Sequence, residues 1–369
     1  MKKILYISTM KLDIRSGVTK KILQQIEALT ELGYDVAYTA IRENSYLIVR
    51  GDQEEKLGDL SNSSILYNLQ ILKLLKKYIT SKNDVDIVYI RKLFCNPIFL
   101  SLLRKMKKKG IKIIEEIPTY PYDEECKQSS SKALHAIFKV DKLCRNKEKK
   151  YIHHYVTYSE DQEIFGLPAV PILNGINVKI IHPIQFNTQS QEINILCLAA
   201  LEYWQGYDRL IRSLAEYKKN AASVPIFLHI VGDGTKMEEW RQLAMNLDLE
   251  DCVFFHGFLD SDKLDNIFNK CQLGCAPLGA SRKGLKKISS LKVKEYIARG
   301  LPFIYSTPEA YLDDFKYALK VNDDENLIDL SKVVHFYRNI SSSYNLEEMQ
   351  KFALDHYDWK KQMHLAIGE

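Results

Sequence analysis

Short β-rich apolar runs alternate with helical stretches along nearly the whole chain, and that alternation leaves few folds open. Residues 3–8 read as a strand. Val18, Ile22, Ile26, Leu29 and Leu32 then recur at helical spacing up to Gly33, a C-terminal stop. Residues 34–41 form the next strand, 65–79 an amphipathic helix and 86–91 a strand. Residues 97–109 follow as a helix stopped by Gly110, and 111–116 and 154–159 complete the strand series. These strand runs are near-continuously apolar. That pattern belongs to a parallel sheet covered by helices on both faces.

The pattern pauses over 174–191, which is polar and aperiodic and reads as an interdomain linker. A second series follows, with strands at 193–200, 226–231, 252–256, 273–277 and 302–306. Its helices are expected at 207–219, 237–247, 264–270 and 291–299. A last helical stretch, 345–367, is expected to lie back on the first half. With 369 residues, two domains are natural. The expected division is 1–178, a linker 179–191, a second domain 192–344 and a returning segment 345–369. The fold class is α/β, two Rossmann-like domains facing a central cleft, and such sheets bind ligands at the carboxyl ends of their strands.

Several classes are excluded early. No run of eighteen apolar residues exists, so no spanning helix is expected. The opening Met1–Ile7 run stops at Ser8-Thr9 and meets Lys11, Asp13 and Arg15. It is too short for an export signal and reads as a buried strand. Cys95, Cys126, Cys144, Cys197, Cys252, Cys271 and Cys275 are odd in number and scattered, as expected of reduced thiols in a cytoplasmic protein. The first 180 residues carry 30 Lys and Arg against 21 Asp and Glu, and the remainder 22 against 26. A basic half suggests an anionic partner. Aromatic and basic residues do not interleave, so nucleic acid is not expected.

The first βα turn lacks a dinucleotide fingerprint, although Gly17 opens a helix whose N–H groups suit an anion or a hydroxyl-rich ligand. In the second half, Gly232-Asp233-Gly234 follows a strand and permits a tight turn with close backbone approach. His256-Gly257 ends the next strand, where a base can lie against backbone. The densest constellation runs from Ser289-Ser290 through Lys292 and Glu295 to Gly300-Leu301-Pro302. Serines at a helix start expose N–H groups to a diphosphate, Lys292 adds charge, and Glu295 shares its face at i, i+3 to accept from ribose hydroxyls. In the first half, Thr119, Tyr120, Tyr122, Asp123 and Glu124 suit a sugar by stacking and hydrogen bonding. Asp84-Val85-Asp86 has the letters of a metal-holding pair but precedes its strand.

In these segments the chain resembles the retaining family-four glycosyltransferases of the GT-B fold. Asn174-Gly175-Ile176-Asn177 is similar to the family's NGID segment, and Leu201 through Asp208 to its L-x-x-x-K-G-x-D stretch. Val231-Gly232-Asp233-Gly234, His256-Gly257, and Glu295 with Gly300-Leu301-Pro302 follow in order. The resemblance implies that the second domain binds a nucleotide-sugar of the UDP or GDP type, with Glu295 on the ribose. It further implies transfer, with retention, to a glycan or lipid-linked glycan acceptor held by the first domain, in bacterial capsule, exopolysaccharide or O-antigen synthesis. The sequence departs from the family at Ala200 and Gln205, where Arg and Lys are usual, at Lys287 for the first Glu of its E-x7-E pair, and near Pro118-Thr119 for its His.

Lys292, with Arg282, Lys283, Lys286 or Lys287, is therefore expected to supply the missing cations. Lys292 and Glu295 are the expected catalytic pair. Donor contacts are expected from Gly17, Gly232, Gly234, His256, Gly257, Lys287, Ser289 and Ser290. No metal or other cofactor is expected, since helix N–H groups and lysines can stabilise a leaving diphosphate. The basic runs 104–109 and 139–150 suit an anionic membrane surface, so a cytoplasmic protein peripheral to the inner face of the cell membrane is expected. The runner-up is a catalytically weak sugar- or nucleotide-binding protein of the same fold.

Overall fold

The structure is a computed structural model, and it describes residues 1–13, 16–61, 64–82, 84–123, 131–220 and 223–368. The chain forms two compact units, Met1–Leu173 with Trp359–Glu369, and Asn174–Asp358.

In the first unit, β1 (Lys3–Ile7), α1 (Gly17–Glu31) and β2 (Asp35–Arg42) lead into a hairpin, β3 (Ser45–Arg50) and β4 (Gln53–Asp59). Next come α2 (Ser64–Ser81), β5 (Ile87–Arg91), α3 (Pro97–Lys108), β6 (Lys112–Ile117), α4 (Lys132–Cys144) and β7 (His154–Thr157). The series ends with β8 (Glu163–Ile164) and β9 (Leu167–Pro171). The sheet runs β4-β3-β2-β1-β5-β6-β7-β9-β8. From β2 to β9 it is parallel, and only the hairpin and β8 are antiparallel. Ile4, Leu5, Tyr6 and Ile7 are buried on both faces. The apolar opening of the chain is therefore a central strand, as its pattern predicts.

The β3–β4 hairpin is absent from the sequence reading; Tyr46 to Val49 of β3 are buried, but Gln53–Asp59 of β4 is polar and largely exposed. A charged edge strand of this kind resists pairing with other chains and carries no core pattern.

In the second unit, β10 (Ile193–Leu198), α5 (Tyr207–Lys219), β11 (Ile226–Val231), α6 (Met237–Asn246) and β12 (Val253–Gly257) come first. Then follow α7 (Ser261–Lys270), β13 (Leu273–Cys275), α8 (Leu291–Arg299), β14 (Phe303–Tyr305), β15 (Ala318–Lys320), α9 (Leu330–Ser341) and α10 (Leu346–Tyr357). Its sheet is parallel throughout, in the order β12-β11-β10-β13-β14-β15.

The division differs from the expected one at both joints. Residues 179–191 are tied into the second unit, where the Arg299 guanidinium donates to the His182 carbonyl at 3.2 Å and Ile184 N to the Arg299 carbonyl at 2.8 Å. α10 also stays there, with Tyr357 fully buried and bonded to the Ala310 carbonyl. Only α11 (Trp359–Ile367) returns to the first unit. There Trp359 is buried and its indole N–H donates to Gln24 at 3.0 Å. Truncating so buried a Trp costs about 3–5 kcal/mol, enough to hold the returning helix in place.

Candidate functional site

In the second sheet the strand order reverses beside β10, between β11 on one side and β13 on the other. Ligands of open parallel sheets bind at such a reversal, outside the carboxyl ends of the strands. The segments leaving those ends are 199–206 and 276–290. Gly206 joins them, with φ at 68°. A Cβ there would stand 2.6 Å from Gly279 N, and Leu278 N donates to the Gln205 carbonyl at 2.8 Å. Only glycine allows this backbone contact, which fixes Gln205 at the point of reversal.

Lys292, in the first turn of α8, reaches that point. Its ammonium donates to Gln205 Oε1 at 2.7 Å and to the Tyr207 hydroxyl at 3.0 Å. The Tyr207 hydroxyl in turn reaches the Leu198 carbonyl at 3.3 Å and the Cys275 carbonyl at 3.5 Å, the last residues of β10 and β13. The ammonium thus stands over the ends of both central strands. Both of its side-chain partners are neutral, and burial pushes its pKa down to about 7. An approaching anion would reverse that shift.

The start of α8 is more occupied than its serines suggest. Asn174 N and the Lys294 ammonium both donate to Ser289 Oγ, at 3.0 and 3.1 Å. Ser290 is the N-cap residue, but its hydroxyl makes no capping bond, and its N–H donates to Glu309 Oε1 at 2.9 Å. Glu309 and Lys294 form a fully buried ion pair. Glu309 Oε2 and Asn174 Oδ1 are buried with no hydrogen bond. An internal carboxylate therefore already lies at the helix entrance, while the N–H groups of Leu291, Lys292 and Val293 fall in the turn that helix geometry leaves without intrahelical acceptors.

Glu295 lies one turn beyond Lys292 and is a quarter exposed. Its Oε1 accepts from Arg299 Nε at 2.9 Å, and Arg299 also pairs with Asp265 at 2.8 Å. The carboxylate is thus oriented from behind. Arg282 is engaged elsewhere: it clasps Asp208 with two bonds of 2.9 Å and also binds Glu325. Lys283 stacks over Trp204 at 5.1 Å. Lys287 is exposed in the segment before α8, with Asp313 close enough to feel its charge. Lys286 and Lys320 line an open depression of about 710 Å³ beyond β13, β14 and β15. Of the five expected cations, Lys292 is the one brought to the strand reversal.

Gly232 and Gly234 serve the chain itself. With φ at 125°, a Cβ on Gly232 would lie 1.8 Å from the Ala199 carbonyl oxygen, and one on Gly234 would lie 2.6 Å from Leu201 N. This close stacking sets the height of the 199–206 segment. His256 donates to or accepts from His229 across 2.9 Å, and His229 reaches Asn194 at 2.8 Å. Burial lowers the pKa of His256, with Lys270 adding to the effect, so it sits neutral in a structural chain. Gly257, with φ at 65°, faces open space.

In the first unit, Gly17 begins α1 with open space around it, capped by Ser16. Thr119 is exposed and Tyr120 packs edge-on against Phe165. Two expected acceptor residues are committed to structure instead. Asp123 is held by Arg145 at 3.2 Å and Lys142 at 3.3 Å, and Tyr122 is buried with its hydroxyl on Asp141 at 2.8 Å. Glu124 lies outside the described residues. Asp84 and Asp86 tie the chain start, accepting from the Lys3 ammonium at 3.0 Å and Lys3 N at 2.7 Å.

Sequence reasoning missed two buried charge networks that flank β6. Glu116 accepts from Gln25 and Tyr89 and pairs with Arg91 and Lys21. Burial takes the Lys21 pKa down to about 7. Its neighbour Glu115 points to the other face, where Glu115, Glu148 and Asp141 surround Lys92 at 3.2, 3.2 and 4.0 Å. Burial and the Glu148 charge push Glu115 up to about 8. Two acids at the end of an apolar strand run were the available signal, since adjacent strand residues face opposite ways.

Residues 179–352, just under half the chain, match the family described as Glycosyl transferases group 1. No curated protein matches the sequence. Among solved structures, sucrose-phosphate synthase from Thermosynechococcus elongatus is 13% identical and covers 100% of this chain and 97% of its own, with a TM-score of 0.63. The apo lipopolysaccharide outer core galactosyltransferase WaaB is 15% identical over 99% of both chains, with a TM-score of 0.60. A trehalose-6-phosphate structure from E. coli bound with UDP-2-fluoro glucose is 14% identical over 99% of this chain and 98% of that one, with a TM-score of 0.62. These likenesses show the fold: two Rossmann-like domains of the GT-B class. The family match supports a glycosyltransferase.

Proposed function

We propose that the chain is a metal-independent glycosyltransferase that moves a sugar from a UDP- or GDP-type donor to a glycan or lipid-linked glycan. The observation that carries this reading is the Lys292 ammonium, poised over the reversal of the second sheet with neutral side-chain partners, inside the segment that matches group 1 glycosyl transferases. A diphosphate gains negative charge as it leaves. An ammonium and first-turn N–H groups already fixed in place stabilise that charge without reorganising. Glu295, oriented by Arg299, accepts from the donor ribose. The sugar's bond to the diphosphate breaks while the acceptor oxygen bonds to the same carbon on the same face. The acceptor proton passes to the departing diphosphate oxygen. Retention, a role in bacterial surface-polysaccharide synthesis, and a cytoplasmic position beside the membrane belong to this proposal. It is supported by the motif resemblance and by the basic helices of the first unit.

Isothermal titration with UDP, GDP, ADP and their sugars tests the donor site, followed by transfer assays with Lys292→Ala. One nucleotide diphosphate should bind, and the variant should bind it at least about tenfold more weakly, the loss of a charge-assisted hydrogen bond. An unchanged donor KM and turnover in Lys292→Ala would sink the reading. Glu309 favours a second reading, a binding protein with little catalysis, because its carboxylate lies at the entrance where a diphosphate would gather N–H groups. Donor binding with neither transfer nor hydrolysis, in assays with and without divalent metal, is the result that would select it.

A further inference from the structure

A half-open cavity of about 420 Å³ lies in the first unit among α2, α3, α4 and the segment after β5. Its floor is Ile71, Leu72, Leu93 and Cys95, all buried, while Ala136 and Val140 of α4 stand exposed among its lining. That volume falls within the range of small-molecule sites, about 300–1,000 Å³. Asn96 is one of two polar residues in the lining, and its side chain already caps α3, accepting from Ile98 N at 2.9 Å and Phe99 N at 3.0 Å. Such a space offers few partners to a polar ligand and suits hydrocarbon.

The charge around the cavity says what the hydrocarbon carries. α2 bears Lys73, Lys76 and Lys77 and no acid; α3, which lines the cavity with Pro97 and Ile98 at its start, also bears no acid and carries Arg104, Lys105, Lys107 and Lys108 at its far end. The single acid of α4 is Asp141, fully buried and accepting from Cys95 N at 2.7 Å and the Tyr122 hydroxyl at 2.8 Å. None of the three helices sends a carboxylate to solvent. Lys132 and Lys139 are exposed four residues before and three residues after Ala136, so helix geometry places all three on one face.

We infer that this cavity binds the hydrocarbon chain of an anionic amphiphile, a single lipid molecule whose phosphate group rests against Lys132 and Lys139. The site lies in the first unit and stands whether or not the second unit transfers sugar.

Dodecyl phosphate, kept below its critical micelle concentration, is titrated calorimetrically into the full chain without donor. One molecule should bind per chain. Inorganic phosphate should not compete, and dodecyl maltoside, whose head is uncharged, should bind at least about tenfold more weakly. Ala136→Trp, which blocks the mouth, should weaken dodecyl phosphate by about tenfold or more, while Ala136→Ser should not. Lys132→Glu combined with Lys139→Glu should weaken the phosphate amphiphile and leave dodecyl maltoside unchanged, which keeps the test open if the Trp variant misfolds. Three results overturn the inference: undiminished binding by a folded Ala136→Trp chain, full competition by inorganic phosphate, or binding to phosphatidylglycerol vesicles without binding to the monomer.

Discussion

Lys292 donates to Gln205 across 2.7 Å, so the ammonium at the second sheet's reversal belongs to α8 while a neutral amide occupies the segment after β10. In the glycosyltransferases that the sequence resembles, that segment carries the lysine itself. Here an ammonium reaches the amide of that segment from α8.

The exchange predicts a reciprocal pair of variants. Gln205→Lys alone puts two ammonium groups within hydrogen-bond distance, and the chain should lose stability by about 1–3 kcal/mol. Lys292→Gln alone should weaken nucleoside diphosphate binding at least about tenfold. The double variant restores one cation and one amide, and should recover most of both losses. Urea unfolding and calorimetric titration of all four proteins measure the coupling. Additive effects in the cycle would contradict the relationship.

Protons should accompany the donor. Burial lowers the Lys292 pKa to about 7, and a bound diphosphate favours its charged form. Binding between pH 7 and 8.5 should take up a proton, and affinity should fall as pH rises through that window. Titrations in two buffers of different ionisation enthalpy count the protons directly, and Lys292→Ala should abolish the uptake.

Glu115 gives the stability of the first unit a pH dependence of the same sign. Its carboxyl is pushed from 4.5 up to about 8 by burial and by Glu148. Between those values the folded chain holds a proton that the unfolded chain releases. This contribution is therefore complete below about pH 4.5, declines as pH rises and is gone above about 8. Lys21, lowered to about 7, acts in the other direction above that pH, so the measurement is a difference. Stability of the native chain minus that of Glu115→Gln, followed by thermal unfolding from pH 5 to 9, should fall with pH.

The two glycine positions flanking the strand ends separate backbone contact from backbone angle. Gly232→Ala drives a methyl into the Ala199 carbonyl and keeps an unfavourable φ, so a loss of about 3 kcal/mol or more is expected. Gly257→Ala meets no neighbour within 4 Å and has only φ at 65° against it, a loss of about 1–2 kcal/mol. Equal losses in denaturant unfolding would refute the assignment of Gly232 to chain stacking.

Much of the architecture was legible in one dimension because parallel strands and their covering helices write different periods. α5 (Tyr207–Lys219), β11 (Ile226–Val231) and α8 (Leu291–Arg299) fall where periodicity places them. β4 did not, because an exposed edge strand buries too little to leave a pattern, and its hairpin partner β3 went unread with it although Tyr46 to Val49 are buried. Within the site, the i, i+3 spacing of Lys292 and Glu295 was visible in the letters. The engagement of Ser289 by Asn174 and Lys294, of Arg282 by Asp208 and Glu325, and of Asp123 by Arg145 was not. Apart from Ser289 and Lys294, these unite residues distant in the chain, Asn174 and Ser289 being 115 positions apart.

By itself, then, the order of residues determined the two alternating α/β series, the burial of the first strand and the candidates for the donor site, since all of these follow from short-range periodicity. Which cation reaches the strand reversal, which acids lose their charge, and where the chain returns to its first unit were decided only in three dimensions. Hydrogen bonds and desolvation depend on what surrounds a group after packing, and packing neighbours are set by the whole chain.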